Sequence, residues 1–457
     1  MKFKYIISIF VISVFFSCSD SFTDLAPISQ RNAGIFYETS SDMQVAVNAI
    51  YSTLKSNGCY NQSYWVMQEL RSDNTFWDGT GLAEEITVFD QFTDISTSNV
   101  TEDAWNASYQ GISRANIVLA RIDAIEMDAT LKSRLTSEAL FLRSLYYYHL
   151  AVAFGNIPLV LTETTSVEEG QDHTQVSASV VFDQLIGDLT KAESDLPESY
   201  GSADIGRATK GAAATLLAKI QLTNGDNGAA ETTLRRILTY GYTLVPDYAN
   251  LWGVDNENNS ESIFEVQFEG GFGDQGNSFT SQFHGVLAAT VTSGQRNIPE
   301  RDLTDDYEAG DLRFAATLEG VTVDATGWPI KYGITNAFGE DDAPNNWVVF
   351  RYADVLLMLA EAIGEGTEAY GLINEVRMRA GLVDIDANTA GTFTEKLLHE
   401  RRIELAFENH RWADLLRFGV AESVMSAQGK PINGKLLFAI PQRELDLNAN
   451  FSQNPGY

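Results

Sequence analysis

A mainly α fold is predicted for this chain, built of antiparallel helix pairs and interrupted by an irregular, loop-rich insertion with short β-strands. Three observations predict it. Apolar residues recur at helical spacing from 40 to 241 and again from 351 to 417. Short turns containing Gly, Asn or Pro separate these segments, and small residues crowd the expected helix contacts. Between 255 and 350 the helical period gives way to alternation and glycine-rich loops.

Composition bounds the function. The chain has 457 residues, 44% of them hydrophobic, which is ample for a large core. Its formal net charge of -31 disfavours nucleic acid and anionic membrane surfaces, and no nucleic-acid partner is expected. Two cysteines build no disulfide framework, and five histidines make a histidine-rich metal site a poor fit.

The N-terminus reads as an address. Lys2 and Lys4 precede an apolar run that ends at Phe16, which fits an export signal over 1–17. Ser17-Cys18 then has the form of a bacterial lipobox, with Cys18 as the lipid-bearing first residue of the mature chain. Residues 18–457 are expected to form one domain.

Each helix has its own warrant. Segment 40–54 places Val45, Ala49 and Leu54, with Ala46 and Ile50, at helical spacing and stops before Asn57-Gly58. Segment 101–122 starts at Thr101, a good cap, and carries Trp105, Tyr109, Ile112, Ala115 and Leu119 down one side. Segment 137–154 is apolar nearly all round; Gly155 stops it and Pro158 prevents resumption. Arg143 inside it should pair with a carboxylate or a helix-end carbonyl. Helices follow at 176–195, after Thr209 in GAAATLLAKIQLTNG, and in AAETTLRRILTYGY. The expected pairs are 101–154, 176–223, 208–241 and 351–408. Two of them share a helix, so four tetratricopeptide-like pairs are expected with the register open.

In the insertion, SIFEVQF alternates and reads as a strand with Phe264, Val266 and Phe268 on one face. GGFGDQG lacks the Lys-Ser/Thr ending of a phosphate-binding loop. Asp311 and Arg313 read as a structural pair. Trp328 sits between turn signals, either plugging the core or offered to a ligand. After the insertion, RYADVLLMLAEAIG, TEAYGLINEVRMRAG and EKLLHERRIELAFENHRWADLLR read as three helices. The third carries Arg401 and Glu408 on the same arc as Leu397, Leu398 and Leu405. Charges on an apolar arc must be paired, so a network among Arg401, Glu404, Glu408, Arg411 and Asp414 is expected. KLLFAIPQREL reads as a last strand.

RYADVLLMLAEA, INEVRMRAGL and LLHERRIELAFENHRWADLLR resemble the C-terminal signature of the SusD/RagB family of Bacteroidetes surface lipoproteins. WNASYQGISRANIVL, SEALFLRSLYYYHLAVAFGNIPLV and the terminal NANFSQNPGY are similar to that family too. The resemblance implies an all-helical, tetratricopeptide-like scaffold anchored through lipid on Cys18 and facing outward from the outer membrane. It also implies capture of a glycan, or sometimes a peptide, for a SusC-like TonB-dependent transporter barrel.

The stretch 61–81 is the first candidate site. It holds Asn61, Tyr64, Trp65, Asp73 and Trp77, aromatic platforms for sugar faces among short polar groups for hydroxyls. Trp328 joins them if the insertion closes over the same place. The competing reading for Trp65 and Trp77 is core packing. An enzyme reading ranks last: HERRIE has Ile403 where the zinc motif HExxH needs its second His, and no GxSxG elbow exists. A helical-array protein binding or adhesion lipoprotein ranks second. Glu340, Asp341 and Asp342, or Asp255, Asn256, Glu257 and Asn258, could supply oxygens to calcium, but neither run has EF-hand spacing. Calcium is left unassigned and no cofactor is expected.

Overall fold

The computed structural model describes residues 36–77, 84–272, 275–284, 296–333 and 341–457. The signal segment, Cys18, Asp78-Gly79 and Glu340 lie outside the described residues. Eight helices stack in chain order: α1 (Ser40–Leu54), α2 (Asn99–Arg121), α3 (Ala129–Phe154), α4 (Ala178–Asp195), α5 (Lys210–Thr223), α6 (Asn227–Ile237), α7 (Tyr352–Ile363) and α8 (Thr367–Arg379). Each packs on the one before and the one after. The expected pairs 101–154, 176–223 and 208–241 are all contacts within one continuous tetratricopeptide-like array.

Local chemistry sets most helix ends. Thr39 and Asp42 close a capping box on α1. Asp128, Ser177, Thr209 and Asp226 each accept a first-turn N–H with the side chain, starting α3, α4, α5 and α6. Gly155 ends α3 at φ 70°, a conformation that costs glycine little. Two starts differ from expectation. Helix α2 begins at Asn99, and Thr101 gives its hydroxyl to Ser98 O instead of capping. Helix α3 begins at Ala129, because the Asp128 cap carries the helix across a polar first half that has no apolar stripe.

Between α6 and α7 the chain leaves the array. Strand pairs β1 (Thr75–Phe76) with β5 (Ile298–Pro299), β2 (Ile157–Pro158) with β3 (Gln175–Val176), β4 (Ser262–Val266) with β8 (Trp347–Arg351), and β6 (Leu318–Val321) with β7 (Thr326–Pro329) are all antiparallel. The alternation of SIFEVQF does not mark one wet face. Ile263, Phe264, Glu265 and Val266 are all buried, and Glu265 is satisfied by Asn258 N and the Asn346 amide. Trp328 lies in a hairpin strand, not a loop. The hairpin turns at 322–325, and Gly327 inside β7 has φ 73°, where a Cβ would sit 2.1 Å from Glu319 O.

The C-terminal third corrects three expectations. Arg351 is the last residue of β8, not the first turn of a helix. The predicted third helix is two, α9 (Phe393–Glu404) and α10 (Arg411–Arg417), separated by a turn with Phe407 and Asn409 at positive φ. The break frees Glu404 O from helical bonding; it accepts instead from Tyr248 Oη, Lys331 Nζ and Arg351 Nη2. KLLFAIPQREL forms no ladder. Phe438 N donates to Ala153 O at the end of α3, and the Gln453 and Asn454 side chains serve Ile440 and Phe438. Its backbone is thus paired by a helix end and by side chains, and 442–447 is helical.

Candidate functional site

Chain 61–77 is buried along most of its length, and the structure divides the predicted site residues along it. Asn61 is a brace: Oδ1 accepts from Ser278 N at 2.7 Å and Nδ2 donates to Asn57 Oδ1 at 2.8 Å. Tyr64 stacks on His149 at 4.0 Å between ring centroids, within an aromatic core that includes Tyr60 and Trp347. Burial pushes the His149 imidazole down to about 3, so it is neutral there. Trp65 is fully buried, edge-on to Phe283 at 5.0 Å, with its indole N–H donated to Asn61 O. Asp73 is buried in a bidentate pair with Arg411, both contacts 2.7 Å. Trp65 and Asp73 therefore hold the backbone; no face of either is open to a ligand.

Beyond Asp73 the chain reaches a different setting. Asn74 O accepts from Glu300 N, and Phe76 pairs with Ile298 across β1 and β5. Strand β5 lies against β7. Trp77 follows β1 and is 5% exposed. Asn297, one residue before β5, is fully buried with neither amide atom hydrogen-bonded. An unpaired buried amide costs about 1–3 kcal/mol, and such groups concentrate at functional sites. Trp328 on β7 is partly buried, with its ring 6.2 Å from that of His284 and resting against Gly320, where any Cβ would collide with it. Strand pairing thus brings the chain around Trp77, Asn297 and Trp328 together; Trp77 and Asn297 are buried there and Trp328 is partly exposed. Asn297 and His284 were not legible: Asn297 depends on the distant pairing of β1 with β5, and His284 on the folding of the insertion back onto Trp328.

A buried ion network holds this face to the array. Arg402 donates to Asn74 Oδ1 and Asp73 O and pairs with Asp306. Glu404 meets Arg351, Arg379 and Arg313, and Glu408 meets Arg351 and Lys331. Burial alone would push the Glu404 carboxyl up, but the arginines Arg379, Arg351 and Arg313 hold it well below the usual range. Asp311 and Arg313 are paired as expected, and Arg143 pairs with Asp188 at 2.6 Å. The pairing inside the network differs from expectation. Arg401 pairs with Asp354 and Asp414, both at 2.8 Å, not with Glu408, because the break after Glu404 turns Glu408 toward Arg351 and Lys331. Among the described residues no group of three or more His, Cys, Asp or Glu is arranged to hold a metal ion.

The fold is shared with solved structures. A laminarin-binding SusD-like protein superposes with a TM-score of 0.83 at 30% identity, covering 92% of this chain and 100% of that one. The chain belongs to the SusD family. Residues 309–457 match the family described as SusD, and residues 22–222 match the one described as starch-binding, associating with outer membrane. SusD-like protein P2 of Formosa agariphila is 25% identical over the whole of both chains. Starch-binding protein SusD of Bacteroides thetaiotaomicron is 24% identical over 85% of this chain and 84% of its own. Surface glycan-binding protein A from B. thetaiotaomicron, solved with laminarihexaose, has the same fold with a TM-score of 0.79 at 23% identity. In this SusD-family chain the helical array is the scaffold, and the insertion carries most of the face around Trp328.

Proposed function

We propose that this SusD-family protein is an outward-facing lipoprotein of the outer membrane that binds an oligosaccharide or polysaccharide and delivers it to a SusC-like TonB-dependent transporter. No bond is broken; the work is capture and handover. The observation that carries this reading is the full-length 30% identity to a laminarin-binding SusD-like structure. Residues 1–17 act as the export signal, Cys18 carries the lipid, and the remainder is one domain. No helix among the described residues is long and apolar enough to cross a membrane, which is consistent with attachment through lipid.

The glycan-binding face is the one around Trp328, whose ring is partly exposed; Trp77 and Asn297 are buried and support it. A flat indole ring suits the apolar face of a sugar ring. Asn61, Tyr64, Trp65 and Asp73 support it from behind. A glycan array with the purified mature protein tests the reading, laminarin first because the solved relative binds it, with calorimetry on each hit. Trp328→Ala should cost about 2 kcal/mol of binding, roughly a thirtyfold loss in affinity. Wild-type affinity in that variant would refute the assignment of the face. Binding to no glycan at all would refute the function. Gentle detergent extraction with a C-terminal tag should co-purify an outer-membrane barrel.

A further inference from the structure

A cleft of about 270 Å³ opens between α2, β2, the loop 164–173 and the C-terminal segment 444–451. It shares no residue with the face around Trp77 and Trp328. Aromatic side chains form its lining. Trp105 is nearly buried there, with Tyr109 5.0 Å away at an interplanar angle of 46°, and Phe451 contributes from the C-terminal segment. Tyr109 Oη donates to Pro158 O at 2.8 Å, so that ring is held in place without a ligand. Polar groups line it as well: Asn116 is engaged with Val160 O, Thr162 O and Arg143, and three others are unused. The side chains of Asn106 and Ser113 make no hydrogen bond within the described residues, and His173 Nε2 is buried and unpaired. No Lys or Arg lines the cleft, so an anion has no counter-charge there.

We propose that this cleft is a second carbohydrate subsite that takes a short neutral saccharide of about one or two rings, given a volume at the lower edge of the roughly 300–1,000 Å³ of small-ligand pockets. Preformed aromatic walls supply stacking, and Asn106, Ser113 and His173 supply hydroxyl partners. A purely apolar ligand would leave those polar groups unpaired, at a cost. The assignment extends the glycan-binding reading above to an independent site, and it rests on that reading for the choice of ligand class.

The test uses the mature protein with laminaribiose and maltose as probes, followed by saturation-transfer NMR and calorimetry. Ser113→Trp fills the cleft from an exposed position, where the fold tolerates change, and Phe451→Ala removes one platform. Trp328→Ala serves as the variant of the other face. Either cleft variant, made in the Trp328→Ala background so that the first face is silenced, should weaken the remaining disaccharide binding by about tenfold or more. Thermal unfolding checks each variant's fold; if Phe451→Ala is unfolded, Ser113→Trp decides. Disaccharide binding that is absent in the wild type, unchanged in Ser113→Trp, or abolished by Trp328→Ala alone overturns the inference. Long-glycan binding lost only in Trp328→Ala would then leave the first face standing and remove the second.

Discussion

Arg401 is fully buried and holds two carboxylates at once. Its Nε and Nη2 donate to Asp414 at 2.8 and 3.0 Å, and Nη1 lies 2.8 Å from Asp354. Arg401→Ala therefore strips both acids of their shared cation. Asp414 keeps only Arg417 at 2.9 Å, and Asp354 keeps Lys219 at 2.9 Å. Removing one partner of a buried pair costs about 3–5 kcal/mol, because the charge left behind is neither solvated nor compensated. Each acid keeps one cation, so the expected loss lies toward the lower end of that range. Urea unfolding of the mature protein should show a lower midpoint with an unchanged slope. Arg235→Ala is the control: its guanidinium pairs with Glu368 at the surface, and the midpoint should not move. A loss below about 0.5 kcal/mol, the level of an ordinary surface change, would refute the claim that this cluster is desolvated.

Acid should destabilise the fold in two stages. Burial pushes His149 and His410 down to about 3 from 6.5, so the unfolded chain binds more protons; their stabilisation is complete above 6.5 and lost as pH falls toward about 3. Glu404, Asp414 and Asp354 follow the same sign lower down. Burial would raise them, but their cationic partners hold them below the usual range, so their contribution is complete above 4.5 and disappears in stronger acid. Glu69 and Glu257 act oppposite in sign: burial pushes both up to about 8, so stability declines as pH rises from 4.5 through 8. Between pH 6.5 and 4.5 the two histidines and these two glutamates offset one another, so the loss appears below 4.5; a thermal midpoint that stays flat from pH 4.5 down to about 3 would contradict this scheme. Trp65→Ala should lower folding stability by about 3–5 kcal/mol, and any loss of glycan affinity should track the unfolded fraction. Cys18→Ala should abolish lipid labelling and release the protein from membranes; unchanged labelling would move the lipid site elsewhere.

The sequence disclosed helices where their ends are local. Segment 40–54 is the clearest case, because its capping box and apolar stripe are written within fifteen residues. It hid the break between α9 and α10, since the helical period of Leu397, Arg401 and Glu408 continues straight through the turn. What breaks the helix there is a set of distant donors, Tyr248, Lys331 and Arg351, competing for one carbonyl. The fates of the tryptophans were hidden for the same reason. Trp65 and Trp77 have similar surroundings in sequence. Both rings are interior: Trp65 packs on Phe283, and Trp77 follows the pairing of β1 with β5.

The pairing of β4 with β8 sets Val266 opposite Trp347. The stretch between them thus leaves and re-enters the array at one fixed gate. Once a loop is closed at its base, doubling its length costs only about 0.6 kcal/mol, so this stretch can be lengthened or replaced cheaply. It behaves as a graftable cassette, with one condition on the surgery. Arg313 and Lys331 travel inside it and plug into Glu400, Glu404 and Glu408 of the scaffold. A transplant from a relative that keeps those two cations should dock; one that omits either strands buried acids in the recipient.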